Sequence, residues 1–541
     1  MNSWLHKPMK PLGPLALATV AITATLGILA GCRGDYTDFV GGGAGDFLAT
    51  GRTLSSFTAI QVDPRSEDSA GPQFVVADDL NGDGLMDLVS AWNETQPVQI
   101  HLQRRTSSGG MSFETVTLAG NIPVVSVAGL VVADFDQDGR LDIAVLIKET
   151  LLTGAGCLRP SLTDGDASHN KGVILMYFPP DDPEQINQAL AWRDRDVKSS
   201  YLLGTKGSSA PPEQYGFTSM AVGDMDGDGD MDIVVAWNPT VDCDEPPEVL
   251  LFTNDGPGFV RSGLWPVQAI PDPFQCTTVV QPEMCVSIKD VALGDIDRDG
   301  DLDIVVTFPQ AGSMNVRWYR NPLNVAVDAE GICYRHDGSW NVGTVGQVEP
   351  RAGFTRIGDA DIVRLGDVDR DGILDVVVRS TGGRVIQWLK GPECPTTPTA
   401  PDLTDSFRNI PWQVYTLAEF TERSPEALAL GDLNSDGQLE VIASASGGLA
   451  WFDSQAAPSV YDQWIENLII DDQAPGSSGN SLATTDPNVE PQENAGMTFI
   501  NSIVVVDLDG DGANDLVATL DRGGLSGLAN DALVWFRNTN P

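Results

Sequence analysis

The chain has 541 residues, with 76 Asp and Glu against 32 Lys and Arg, and a formal net charge of −44 at pH 7. Phosphate backbones would repel so acidic a surface, which excludes nucleic acid as a partner. A disordered acidic tail is excluded too, because the acids recur at fixed spacing between apolar runs.

The N-terminus reads as a targeting segment. Lys7 and Lys10 precede an apolar stretch, Leu15 to Ala30, that is too short for a membrane span and ends in small residues. It closes on Leu29-Ala30-Gly31-Cys32, which resembles the bacterial lipobox. That resemblance implies that residues 1–31 are a lipoprotein signal peptide and that Cys32 becomes the acylated first residue. The chain is then expected at a bacterial cell envelope, lipid-anchored and extracytoplasmic, either periplasmic or surface-exposed. Residues 32–55 are expected to hold the lipidated Cys and a flexible tether rich in Gly, Asp and Thr. Residues 56–541 are expected to form one domain.

From Phe74 onward one unit repeats seven times. A short apolar strand (A), such as Phe74 to Ala77 or Met220 to Gly223, leads into an acidic loop. A β-branched strand (B), such as Ile233 to Ala236 or Val376 to Val378, leads out of it. An alternating, often aromatic strand (C) follows: Val98 to Leu102, Val173 to Phe178, Val249 to Thr253, Asn315 to Arg320, Arg384 to Leu389, Leu449 to Asp453 and Ala532 to Arg537. A more polar strand (D) ends the unit: Phe113 to Leu118, Ser200 to Leu203, Phe259 to Val267, Trp340 to Val345, Trp412 to Leu417 and Trp464 to Ile470. Short β-branched runs bounded by turn residues read as strands buried on both faces. The seventh unit runs out of chain after C, while an unclaimed D-like strand, Phe57 to Val62, precedes the first. That strand is expected to complete the last blade and close a ring, hiding sheet edges. The fold class is therefore all-β, a seven-bladed β-propeller of four-stranded antiparallel blades closed by an N-terminal strand.

Each acidic loop places an oxygen-bearing side chain at positions 1, 3, 5 and 9 and glycine at position 6. This spacing suits a hard cation such as calcium: side chains converge from alternate positions and glycine permits the sharp turn. The expected ligands are Asp79, Asn81, Asp83 and Asp87; Asp134, Asp136, Asp138 and Asp142; Asp224, Asp226, Asp228 and Asp232; Asp295, Asp297, Asp299 and Asp303; Asp367, Asp369, Asp371 and Asp375; Asp432, Asn434, Asp436 and Glu440; Asp507, Asp509, Asp511 and Asp515. Up to seven Ca2+ are expected, in a structural role, pinning the A–B turns. The first and sixth loops have one carboxylate fewer and are expected to bind most weakly. An EF-hand is rejected, because it needs Glu at position 12 and flanking helices. Position 12 here is Ser90, Val145, Val235, Val306, Val378, Ala443 and Ala518. The loops lack His and Cys, which argues against transition metals.

With the A–loop–B units and Asn254-Asp255-Gly256-Pro257-Gly258-Phe259 in view, the chain resembles the FG-GAP/VCBS repeat family, known from the N-terminal propellers of integrin α subunits. The Phe-Gly and Gly-Ala-Pro signatures themselves are not intact. The match is therefore to a bacterial lipoprotein branch, and integrin signalling is not implied.

Six further cysteines, Cys157, Cys243, Cys276, Cys285, Cys333 and Cys394, suit disulfides in an exported chain. Connectivity is not fixed by sequence; the inferred connections favour 157 with 243, 276 with 285, and 333 with 394. Long insertions between B and C or between D and A (150–171, 238–247, 269–287, 346–360 and 471–497) are expected on the face opposite the calcium loops, where binding would reside. His101, His169 and His336 fall in three different blades, read as surface or partly packed side chains and do not suggest a catalytic centre, and no nucleophile elbow, zinc-protease helix or phosphate loop is present. Trp318, Trp388, Trp451 and Trp535 read as inter-blade core, with sugar stacking as the alternative. The expected function is a non-catalytic binding or adhesion module for protein or polysaccharide. The alternatives are a carbohydrate-active enzyme, lyase or hydrolase, on the same scaffold, or a structural envelope scaffold.

Overall fold

The computed structural model describes residues 52–54, 57–64, 71–93, 98–107, 109–118, 126–149, 171–193, 200–202, 216–238, 247–257, 265–271, 287–309, 315–323, 340–345, 359–391, 412–420, 424–445, 448–453, 464–470, 499–521 and 532–539. They form seven sheets, each built on an antiparallel meander in the order A-B-C-D. Blade one comprises Pro72–Asp78, Asp87–Trp92, Val98–Arg105 and Met111–Thr117. Blade two comprises Val127–Ala133, Asp142–Glu149, Lys171–Tyr177 and Ser200–Leu202. Blade three is Gly216–Gly223, Asp232–Asn238, Glu248–Phe252 and Val267–Ile270, and blade four Val291–Gly294, Asp303–Thr307, Val316–Arg320 and Asn341–Thr344. Blade five is Ile362–Gly366, Asp375–Ser380, Val385–Lys390 and Gln413–Glu419, and blade six Pro425–Gly431, Glu440–Ala445, Gly448–Asp453 and Ile465–Ile470. Blade seven takes A, B and C from Phe499–Val506, Asp515–Asp521 and Ala532–Asn538, and its D strand from Phe57–Pro64 at the other end of the domain.

The A strands of successive blades touch one another in cyclic order, the seventh returning to the first, so they are the innermost strands of a closed ring. The B strands are the β-branched ones, and those of blades one, three and four are buried at every position, as strands sandwiched between neighbouring blades must be. The apolar core is accordingly seven clusters, each shared by two adjacent blades. The cluster of Val62, Val517 and Trp535 with Val75 and Leu88 joins blade seven to blade one. Phe57–Pro64 therefore covers the C strand of the last blade and becomes its outermost strand.

Four details differ from the sequence expectation. In blade three the D strand is Val267–Ile270, later than the predicted start at Phe259. Arg52–Leu54, inside the segment read as a tether, pairs in parallel with Ile465–Ile470 and gives blade six a fifth strand. A 3-10 turn, Pro183–Gln185, and a short helix, Ala189–Arg193, occupy the connection between C and D of blade two, on the loop face. Their anchor is Trp192, buried, with its indole N–H donating to the Ile186 carbonyl. His101 was expected at the surface or partly packed and is fully buried. Cys32 and the six other cysteines, the signal segment, His169, His336 and most of the five insertions lie outside the described residues. No described helix is long and apolar enough to cross a membrane.

Candidate metal centres

Each acidic loop joins strands A and B, and its backbone is folded by its own side chains. The position-1 carboxylate accepts from the backbone N–H of position 6 in every loop, as Asp134 does from Gly139 at 2.8 Å and Asp367 from Gly372 at 2.8 Å. The position-5 carboxylate accepts from position 7, as Asp371 does from Ile373 at 2.9 Å. Glycine at position 6 is left-handed throughout, with φ from 78° at Gly437 to 94° at Gly300. Position 4 is left-handed as well. Blades one, three and seven put glycine there, and the others put Gln137, Arg298, Arg370 and Ser435 at φ 54° to 62°. Sequence reading missed this second requirement because four different residues meet it. Gln137 and Arg370 have a positive reason to be there: each reaches the next loop of the ring, Gln137 to Asp230 and Arg370 to the Asp436 and Gly437 carbonyls.

Folding the loop turns its carboxylates inward. Ligand oxygens lie within 4.8 Å of one another in Asp134, Asp136 and Asp142; in Asp224, Asp226 and Asp232; in Asp295, Asp297 and Asp299; in Asp367, Asp369 and Asp371; and in Asp432, Asp436 and Glu440. So many carboxylate oxygens at such separations repel unless protonated or bridged by a cation. A donor set made of oxygen alone fits Ca2+. In blades one and six the position-3 amide already serves the site: Asn81 Nδ2 donates to Asp87 and Asn434 Nδ2 to Glu440, both at 3.1 Å. An amide in that place brings a hydrogen-bond donor, and one negative charge fewer, to the buried position-9 carboxylate.

Position 9 does more than face the cluster. It is fully or nearly fully buried in all seven loops. One of its oxygens accepts from the position-2 N–H in six loops, for example Val368 to Asp375 at 3.0 Å. The other accepts from a backbone N–H at the end of strand C or just beyond it: Gln103 to Asp87, Asn254 to Asp232, Asn321 to Asp303, Gly391 to Asp375 and Asn538 to Asp515. Burial lifts these acids far above the usual carboxylate range. Asp87, Asp232 and Asp375 are raised to about 7, Glu440 to about 8 and Asp142 to about 9, with neighbouring loop carboxylates adding to the rise.

Residues 79–145 and 224–306 match the family model of the FG-GAP-like repeat. These FG-GAP-like segments hold the loops of blades one to four. Among solved structures, the chain is similar to BBS1N in complex with ARL6DN, soaked with lead, at 12% identity and a TM-score of 0.42, over 90% of this chain and 98% of that one. It is also similar to an Agrocybe aegerita lectin that recognises non-reducing terminal N-acetylglucosamine, at 12% identity and a TM-score of 0.39, over 79% and 92%. No curated protein matches.

The blades are stapled to one another by residues the sequence reading did not assign. In four blades the side-chain amide of the residue whose backbone N–H serves position 9 donates to the position-2 carbonyl of the preceding blade: Asn254 to Phe135, Asn321 to Met225 and Asn538 to Leu433 at 2.8 Å, and Gln103 to Leu508 at 2.7 Å. The signal was present as an Asn or Gln at the end of the C strand or just beyond it in blades one, three, four and seven, but only the ring geometry shows what it bonds. Replacing Asn321 with Ala keeps the backbone bond to Asp303 and orphans the buried Met225 carbonyl. The expected loss of stability in urea unfolding is about 1–3 kcal/mol.

The remaining candidates fall in the core. Trp318, Trp388 and Trp535 are buried between blades and present no face to a sugar, and Trp451 is partly buried. His101 lies between strands B and D of blade one, 2.8 Å from Ser90 Oγ and 2.9 Å from Thr115 Oγ1. A Ser–His pair sealed at 0% exposure has no path to a substrate.

Proposed function

We propose that the protein is a calcium-stabilised, non-catalytic binding module of a bacterial cell envelope, held there by acylation of Cys32, that captures a protein or polysaccharide. The observation that carries this reading is the set of converging oxygen clusters repeated around one face of a closed ring. Ions at these turns stiffen the ring without touching the opposite face. Calcium is redox-silent, and a loop filled by protein oxygens leaves little room to activate a substrate. The acidic side chains in regular positions are thus committed to the scaffold, which leaves recognition to the connecting loops.

The test is an array of glycans and envelope extracts probed with the soluble form that begins after Cys32, in calcium and after chelation. Calcium-dependent capture of one ligand class is the expected result. Failure of folded, calcium-loaded protein to capture anything favours an envelope scaffold, and turnover of a captured glycan favours the enzyme. Cys32→Ala is expected to release the full-length chain from the membrane fraction.

A further inference from the structure

The seven loops are alike in sequence but not in what balances their charge. In blades four, five and seven, the residue immediately before the C-strand backbone donor is basic: Arg320 before Asn321, Lys390 before Gly391 and Arg537 before Asn538. Each of these side chains turns back onto positions 3 and 5 of its own loop. Arg320 pairs with Asp297 and, at 3.5 Å, with Asp299. Lys390 pairs with Asp369 and Asp371. Arg537 pairs with Asp509 at 2.5 Å and with Asp511 at 3.4 Å. Three blades thus bring a full positive charge to the same two carboxylates. Arg320 is 1% exposed, and a guanidinium is held that deep only when paired.

Blade two is the opposite case. Phe178 stands at the basic position and Pro179 where the backbone donor belongs, as the pairing of Ile143 with Tyr177 shows by analogy with Ile233 and Phe252 in blade three. Proline has no N–H. Asp142 is fully buried, and its Oδ1 is left with no hydrogen-bond partner, within the cluster formed with Asp134 and Asp136. Arg140, the nearby cation, pairs with Asp138 at position 5 of this loop and with Asp181, which leaves the unpartnered Asp142 Oδ1 as the charge the loop's own side chains do not meet.

We propose, resting on the calcium reading of the loops, that Arg320, Lys390 and Arg537 are the resident cations of blades four, five and seven, so that these loops close without a divalent ion, whereas blade two depends on one. The ring then takes fewer Ca2+ than its seven loops suggest, and a change at one C-strand residue converts a self-neutralised loop into a metal-dependent one.

The experiment counts tightly bound calcium on the full chain by equilibrium dialysis, beside thermal unfolding with and without chelator. Lys390→Met and Arg537→Met are each expected to add one equivalent of calcium and to make unfolding more sensitive to chelator. Arg537→Lys is expected to behave as wild type, and Asp142→Asn to lose one equivalent. Arg537 is 43% exposed on its side chain, so its variants keep the fold even if the Lys390 change does not. Seven equal sites in the wild type, or unchanged calcium content in a folded Arg537→Met, would overturn the proposal. Wild type that binds no calcium defeats the calcium reading; the resident-cation role is then decided by whether Arg537→Met lowers the melting temperature and Arg537→Lys restores it.

Discussion

Stripping calcium is expected to lower the melting temperature, and the loss is expected to be larger at about pH 8 than at about pH 5. The position-9 acids set the sign. In the ion-free fold they are raised to about 7 at Asp87, Asp232 and Asp375, about 8 at Glu440 and about 9 at Asp142, chiefly by burial. Unfolded, the same groups return to the ordinary carboxylate range near 4. The ion-free fold therefore binds more protons than the unfolded chain, and its stability falls as pH rises from the unfolded values through the folded ones. Calcium reverses this: it holds the ligating carboxylates ionised, so the proton is no longer needed and affinity grows with pH. A saturated site contributes about 2.7 kcal/mol at a hundredfold excess over its Kd. Calorimetry on metal-stripped and calcium-loaded protein at the two pH values measures the gap directly. A gap that is constant, or wider at the acid value, would mean that these buried acids are not coupled to an ion.

The strands and loops were legible in the sequence because both follow from local chemistry. A β-branched run such as Ile304 to Val306 has few alternatives, and an Asp-x-Asp-x-Asp-Gly turn folds on its own hydrogen bonds. Closure was legible because Phe57–Pro64 had no other partner. What escaped was set by contacts distant in sequence. The amides of Asn321 and Asn538 bond carbonyls of the preceding blade. The basic residues Lys390 and Arg537 meet their acids only once strand C is in register with its own loop. The helix at Ala189–Arg193 is five residues long, too short to leave a periodic signal, and depends on burying Trp192.

Gly431→Ala is expected to cost about 1–3 kcal/mol, the range for overpacking a well-filled core. Gly431 is the last residue of its A strand, directly before Asp432. A Cβ placed on it would stand 2.4 Å from Cγ1 and 2.7 Å from Cβ of Val505 in the next blade. The same close approach recurs at Gly223 against Leu302, Gly294 against Leu365 and Leu374, and Gly366 against Leu439. At those three sites a flexible leucine tip can move aside. Val505 is β-branched and stiff at χ1, so blade six or blade seven must shift instead. In an open stack a shift would pass to the end of the array; in a closed ring it returns, because blade seven is fixed to blade one through Phe57–Pro64 and the cluster around Val62 and Trp535. Val505→Ala in the same chain removes the Cγ contacts but keeps the Cβ at 2.7 Å, so it is expected to recover only part of the loss, and denaturant unfolding of the two single variants and the double variant measures the coupling. Additive losses would show that the ends of blades six and seven are not in contact as described, and that the spacing of their two acidic loops is not set by this glycine.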